Sequence, residues 1–185
     1  MRKGRRKSTA FLAVMMAVFM IAGAFALTPS DDAAARSSGA VGKKAALKIA
    51  LKNAGLERSE VKSVETEKDD DGSIEVGFVR IENKAEYDYE ISAKDGRILE
   101  KTVEYKYKKI KSKKKIGSKK AMKKVAKASG KKYSTVKKGT CEYKYKKHQG
   151  KYEIEFRSGD YEYDYELLAP NGRIIEYGYE YVGTR

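Results

Sequence analysis

The sequence predicts an α+β protein built from two tandem repeats, each one helix packed on a four-stranded antiparallel sheet. Three observations predict it. A fourteen-residue stretch occurs twice: Tyr87–Glu100 reads YDYEISAKDGRILE and Tyr163–Glu176 reads YDYELLAPNGRIIE, nine identities at an offset of 76. Upstream of each lies a Lys/Ala-rich segment with helical periodicity, KKAALKIALKNAG (Lys43–Gly55) and KKAMKKVAKASG (Lys119–Gly130). Between helix and hairpin, IEVGF (Ile74–Phe78) matches YEIEF (Tyr152–Phe156). The same three segments in the same order mean a duplication.

The chain opens on a secretory leader. Arg2, Lys3, Arg5, Arg6 and Lys7 form a positive head, and Ala10–Leu27 is an unbroken apolar or small-residue run of 18. Ala24-Phe25-Ala26 then offers the small residues that a signal peptidase reads, so residues 1–26 are expected to be a signal peptide. An uncleaved anchor stays open, since 18 residues reach about 27 Å of helix. Either way the remainder lies outside the cytoplasm, secreted or at the cell envelope. Without a Cys near the cleavage region, a lipid anchor is not expected. Residues 27–42, small and polar, read as a flexible linker.

Residues 43–104 form the first unit. Leu47, Ala50, Leu51 and Ala54 share one helical face over Lys43–Ala54, and Gly55 is a natural C-cap. Strands are expected near Val61–Lys68, Ser73–Ile81, Tyr87–Ala93 and Arg97–Tyr107, with turns at Asp69–Gly72 and Lys94–Gly96. Residues 105–117 are a Lys-rich linker. The second unit, 118–182, has its helix over Ser118–Ser129 and strands near Val136–Lys147, Lys151–Arg157, Tyr161–Ala169 and Arg173–Val182. Its turns fall at His148–Gly150, Ser158–Gly159 and Pro170–Gly172. Fourteen Tyr and no Trp suit half-buried strands whose hydroxyls stay wet. A unit this small has a marginal core, so the two are expected to share a core or join their sheets.

The helix AALKIALKNAGL, the DDDG turn, IEVGF and YDYEISAKDGRIL together resemble the PepSY domain family, and YEIEF with YDYELLAPNGRII resembles it again. The likeness covers about residues 43–103 and 116–180. The second unit departs from the pattern: Lys123, Lys124 and Lys127 crowd its helix, and it has no DDDG turn. The resemblance implies an exported module of one helix against an antiparallel sheet. It also implies a role in binding or restraining peptidases, since the family occurs in propeptides of secreted metallopeptidases and beside envelope membrane proteins.

No residue pattern points to catalysis, and neither cofactor nor metal is expected. The chain has one His and one Cys, which excludes paired-His motifs, internal disulfides and Cys/His zinc sites. Cys141 reads as a tolerated strand residue, with pairing to a partner chain as the other reading. Asp69–Asp71 lacks the spaced ligands of a calcium loop and reads as a hairpin turn. Asp88 and Glu90, like Asp164 and Glu166, are i, i+2 neighbours on the face opposite their Tyr, suited to cross-strand pairing rather than acid–base work. If His148–Lys151 closes a tight hairpin, Lys144 faces Glu155 and Lys146 faces Glu153.

Charge is the feature that most needs a partner. The net charge is +15, yet residues 105–151 alone hold 20 Lys and one acid, Glu142. Lys106, Lys108, Lys109, Lys111, Lys113, Lys114, Lys115, Lys119, Lys120, Lys123 and Lys124 lie within 19 residues that contain no acid. Such a belt is a candidate site for an anionic partner or a solvated basic linker. Tyr105 and Tyr107 make nucleic acid chemically conceivable, and export argues against it. The leading expectation is an exported non-enzymatic protein that binds, and restrains, an envelope or secreted protein such as a peptidase. The alternative is an electrostatic binder of anionic wall polymer or lipid headgroups through the Lys belt.

Overall fold

The computed structural model describes residues 40–183; the leader expected over 1–26 and most of the linker 27–42 lie outside them. Helix α1 spans Lys43–Ala54 and buries Ala46, Ala50 and Leu51. It stops at Gly55 in the left-handed region (φ 66°). Gly55 N–H donates to Lys52 O at 3.1 Å and Leu56 N–H to Leu51 O at 3.0 Å, the two bonds of a Schellman cap. A 3-10 turn, Arg58–Glu60, leads into β1 (Val61–Lys68), β2 (Ser73–Arg80), β3 (Glu86–Ser92) and β4 (Ile98–Glu104). The second half has α2 (Ser118–Ser129), one helical turn α3 (Tyr133–Val136), β5 (Thr140–Lys146), β6 (Gln149–Ser158), β7 (Tyr161–Leu168) and β8 (Ile174–Tyr181).

The strands form one antiparallel sheet in the order β1-β2-β3-β4-β8-β7-β6-β5, so the expected pair of four-stranded sheets is a single eight-stranded one. The joint is between the last strand of each half. Thr102 sits opposite Gly178, with Glu100 opposite Glu180 and Glu104 opposite Glu176. Because the repeat offset is 76, Thr102 faces its own counterpart, and a local two-fold relates the halves as in an isologous dimer. The correspondence runs deep. Bulges fall at Glu90/Ile91 and Glu166/Leu167. Phe78 stacks on Tyr87 at 5.0 Å and Phe156 on Tyr163 at 4.9 Å. Val41 N–H bonds Ala93 O, and Ile116 N–H bonds Ala169 O.

One face of each strand is apolar, and these faces merge with α1 and α2 into a single core containing Ile74, Val76, Phe78, Tyr87, Tyr89, Ile91, Val103, Tyr152, Ile154, Phe156, Tyr163, Tyr165, Tyr177 and Tyr179. Two expectations are corrected. The strand expected from Val136 starts at Thr140, because Tyr133–Val136 turns helically and buries Val136. The hairpin after it turns two residues earlier than expected: Lys146 pairs with Gln149 and not with Glu153, and Lys144 pairs with Lys151, leaving Lys147 and His148 alone in the turn, both at positive φ. Lys144 therefore reaches Glu153 diagonally and does not face Glu155.

The sheet joint makes Gly178 a sensitive position, since a Cβ there would lie 2.7 Å from Lys101 O on the neighbouring strand. Gly178→Ala is expected to lose about 1–3 kcal/mol of stability by urea unfolding, despite the higher strand entropy cost of glycine.

Candidate functional site

The sheet face turned away from the helices is acidic, because strand alternation that puts Tyr inward puts Asp and Glu outward. The registers align these acids into two rows across six strands each. One runs Glu67, Glu75, Glu90, Glu100, Glu180, Glu162; the other runs Glu86, Glu104, Glu176, Glu166, Glu153, Glu142. The local two-fold exchanges them. Like charges directly opposite one another are destabilising, and lysines relieve three members of the second row. Lys106 reaches Glu86 at 2.5 Å, Lys151 reaches Glu166 at 2.5 Å, and Lys144 pairs with Glu153. The central Glu176 is pushed up to about 7, first by burial and then by Glu166, Asp164 and Glu104. Burial, followed by Glu86, Glu104, Glu75 and Glu65, likewise raises Asp88. The pairs Asp88/Glu90 and Asp164/Glu166 thus lie on an open charged plate.

The eleven belt lysines are all exposed. Lys106 is tied to Glu86. Lys108, Lys109 and Lys111 surround, with Arg173, an open depression of about 510 Å³ floored by Ile110 and Leu168. Lys113 and Lys114 stand on the connection to α2, and Lys115 Nζ lies 4.9 Å from the centre of the Tyr143 ring. Lys119, Lys120, Lys123 and Lys124 occupy the outer side of α2, whose inner side buries Ala121, Val125 and Ala126. Crowding of that helix by lysine therefore costs no core contact. The structure spreads the belt along a connection and a helix rather than gathering it into one pocket.

The DDDG segment is the β1–β2 hairpin turn. Asp71 Oδ1 accepts from Ser73 N–H at 3.0 Å and from its hydroxyl at 2.7 Å, and Gly72 takes φ 87°. Among the described residues no group of three or more His, Cys, Asp or Glu is placed to hold a metal ion. Cys141 is half-buried opposite Ile154; burial raises its thiol, opposed by a hydrogen bond with Ser118, so it is a poor nucleophile.

Lys101 was not singled out in the sequence. It is 3% exposed on the core face of β4, inside a cage of tyrosines. Its Nζ lies 5.3, 5.6 and 5.9 Å from the rings of Tyr89, Tyr177 and Tyr179 and donates to Asn53 Oδ1 at 2.8 Å. That same oxygen accepts from the hydroxyls of Tyr89 at 3.2 Å and Tyr179 at 3.4 Å. The cluster latches α1 to strands of both halves. Burial lowers the amine to about 7. The visible signal was positional: Lys101 alternates in phase with Val103, where the second copy has Tyr177.

Residues 40–102 match the family model for PepSY, the peptidase propeptide and YPEB domain. The match spans α1, β1 to β3 and most of β4. Two solved structures are similar. The C-terminal domain of Bacillus megaterium YpeB is 16% identical over 80% of this chain and 68% of its own, with a TM-score of 0.45. A lipoprotein candidate from Clostridium difficile 630 is 15% identical over 78% of this chain and 96% of its own, with a TM-score of 0.29. No curated protein matches the chain.

Two titrations follow. Between about pH 7 and 10.5 unfolded Lys101 holds a proton that the folded amine has released, so stability rises with pH there, by at most ~1.4 kcal/mol per unit. Below pH 7 both states are protonated and the burial penalty is constant. Lys101→Met is expected to remove that slope in urea unfolding measured across pH. Glu176 has the opposite sign: its folded carboxyl keeps a proton that the unfolded one loses above about 4.5, so stability falls as pH rises from there through about 7. Glu176→Gln is expected to match the parent near pH 4.5 and to exceed it at pH 8.

Proposed function

We propose that this is an exported, non-enzymatic protein of two tandem PepSY-like units that binds, and restrains, an envelope or secreted protein such as a peptidase. The observation that carries the reading is the PepSY match over residues 40–102 in a sheet whose chemistry lies on open surfaces: an acidic plate on the face away from the helices, and exposed lysines along the connection and the outer side of α2. Equivalent bulges, ring stacks and entry bonds support the second half as a second unit of the same kind. Exposed charged surfaces of both signs suit recognition of a complementary protein.

A second reading has its own support. Three belt lysines and Arg173 converge on one depression, and Lys106 is the belt member with an ion pair among the described residues. Both features suit an anionic wall polymer or a lipid headgroup surface.

Salt and substitution separate the two. Immobilised chain is incubated with envelope and culture-supernatant extract at low and high salt, and retained proteins are identified by mass spectrometry. A peptidase or other discrete protein held at high salt, and held equally by the triple variant Lys113→Gln, Lys114→Gln, Lys115→Gln, is the expected result. Retention of polymer at low salt alone, greatly weakened in the triple variant, would establish the second reading instead.

A further inference from the structure

The sheet has two outer strands, and they are finished differently. β1 bulges between Lys62 and Glu65, with Ser63 at φ 51°, and the Arg58 guanidinium donates to Val61 O at 3.2 Å. A bulge that turns the strand away is one way an edge discourages a further strand. β5 has no such interruption. It pairs with β6 residue by residue from Thr140–Glu155 to Lys146–Gln149.

The turn sets which β5 groups face outward. Lys147 and His148 have φ 50° and 63°, the signature of a two-residue type I′ turn, so Lys146 and Gln149 are the hydrogen-bonded closing pair. Alternation then points the N–H and C=O of Cys141, Tyr143 and Tyr145 away from β6. The carbonyl of Gly150, opposite Tyr145, accepts from Ala169 N–H on the far side at 2.9 Å, as this phase requires. Among the described residues, backbone bonds of β5 to other backbone go to β6 alone.

The side chains at this edge are prepared as well. Tyr143 and Tyr145, 37% and 41% exposed, are two of the three large hydrophobic residues exposed among those described. The Tyr143 ring is held by Tyr152 at 5.6 Å, by Lys115 at 4.9 Å, and by Gly150, where a Cβ would meet Tyr143 Oη at 2.8 Å. On the other face Glu142, Lys144 and Lys146 alternate with them, and Lys147 follows in the turn, so the face is net positive.

We propose that β5 is an acceptor edge, and that its occupant is an extended acidic segment of a partner protein, added as a ninth strand. Main-chain bonds to Cys141, Tyr143 and Tyr145 would supply affinity. Acidic side chains opposite Lys144 and Lys146, and apolar ones over Tyr143 and Tyr145, would supply selection. Charge disfavours a second copy, which would bring the same lysine-rich hairpin against this one. The proposal rests on the protein-binding reading and names the chemistry of its partner.

The probe is a labelled peptide of about eight residues, a long strand length, alternating Glu and Val, with a Lys/Val peptide as control. Binding to the full chain is followed by fluorescence anisotropy and by amide hydrogen exchange. The expected result is saturable binding of the Glu/Val peptide alone, with protection of the Tyr143 and Tyr145 amides. Tyr143→Pro should abolish it while leaving the β6 ladder intact, because the lost N–H points outward. Lys146→Glu, at a fully folded surface position, should weaken it at least about tenfold. Binding without that protection, equal binding of both peptides, or no binding overturns the proposal, and so does protection of these amides by self-association without peptide. If the edge fails while a discrete protein is still retained at high salt, only the edge assignment falls; if that retention is also absent, the binding reading falls with it.

Discussion

The pairing of β4 with β8 is the contact on which the rest depends. Each half alone offers one helix and four strands, too little apolar surface to support itself with confidence. Joined at Thr102 and Gly178, the halves share one core, and the tyrosines of β8 reach the helix of the first half through Asn53 and Lys101. Two halves of similar sequence thus do within one chain what a two-fold dimer does with two. The central joint is also where the copies have diverged most pointedly: glycine replaces threonine on the axis, and a lysine in the first copy stands where the second has tyrosine.

The same sheet separates charge. Tyrosine inward and carboxylate outward is an economical strand pattern, but over eight strands it stacks acids into rows. The lysines that answer them come from β5, β6 and the second residue after β4, while four of the belt stand on α2 in the opposite layer. The result is a molecule with a net positive charge and a negative broad face. Glu176 and Lys101, on opposite faces near the joint, are both shifted toward neutrality by burial, so their stability contributions slope in opposite directions on either side of about pH 7.

Much of this was legible in the sequence, for definable reasons. The helices α1 and α2 and strand β1 have the bounds that periodicity and glycine caps indicate. The repeat was plain because turn residues and inward aromatics recur together. What escaped notice depended on through-space relations. The Lys147–His148 turn takes positive φ without glycine, so nothing local marked it. Tyr133–Val136 is β-branched at its end and reads as strand until the burial of Val136 is known. The acidic rows require the inter-strand register, and the Lys101 cage requires α1, β3 and β8 to meet. The belt lysines were visible as a run, yet their division among a connection, a depression and a helix face was not.

The joint also has a consequence for how the chain is made. β8 is synthesised after every other described strand, so β4 keeps an open edge until all of them are present. During that interval the β8 of a neighbouring chain is as good a partner as its own, because the register is written in sequence and not in connectivity. Exchange of β8 between two molecules is therefore the misassembly this architecture is built to risk, and keeping the nascent chain dilute and extended until β8 arrives would favour the monomeric fold.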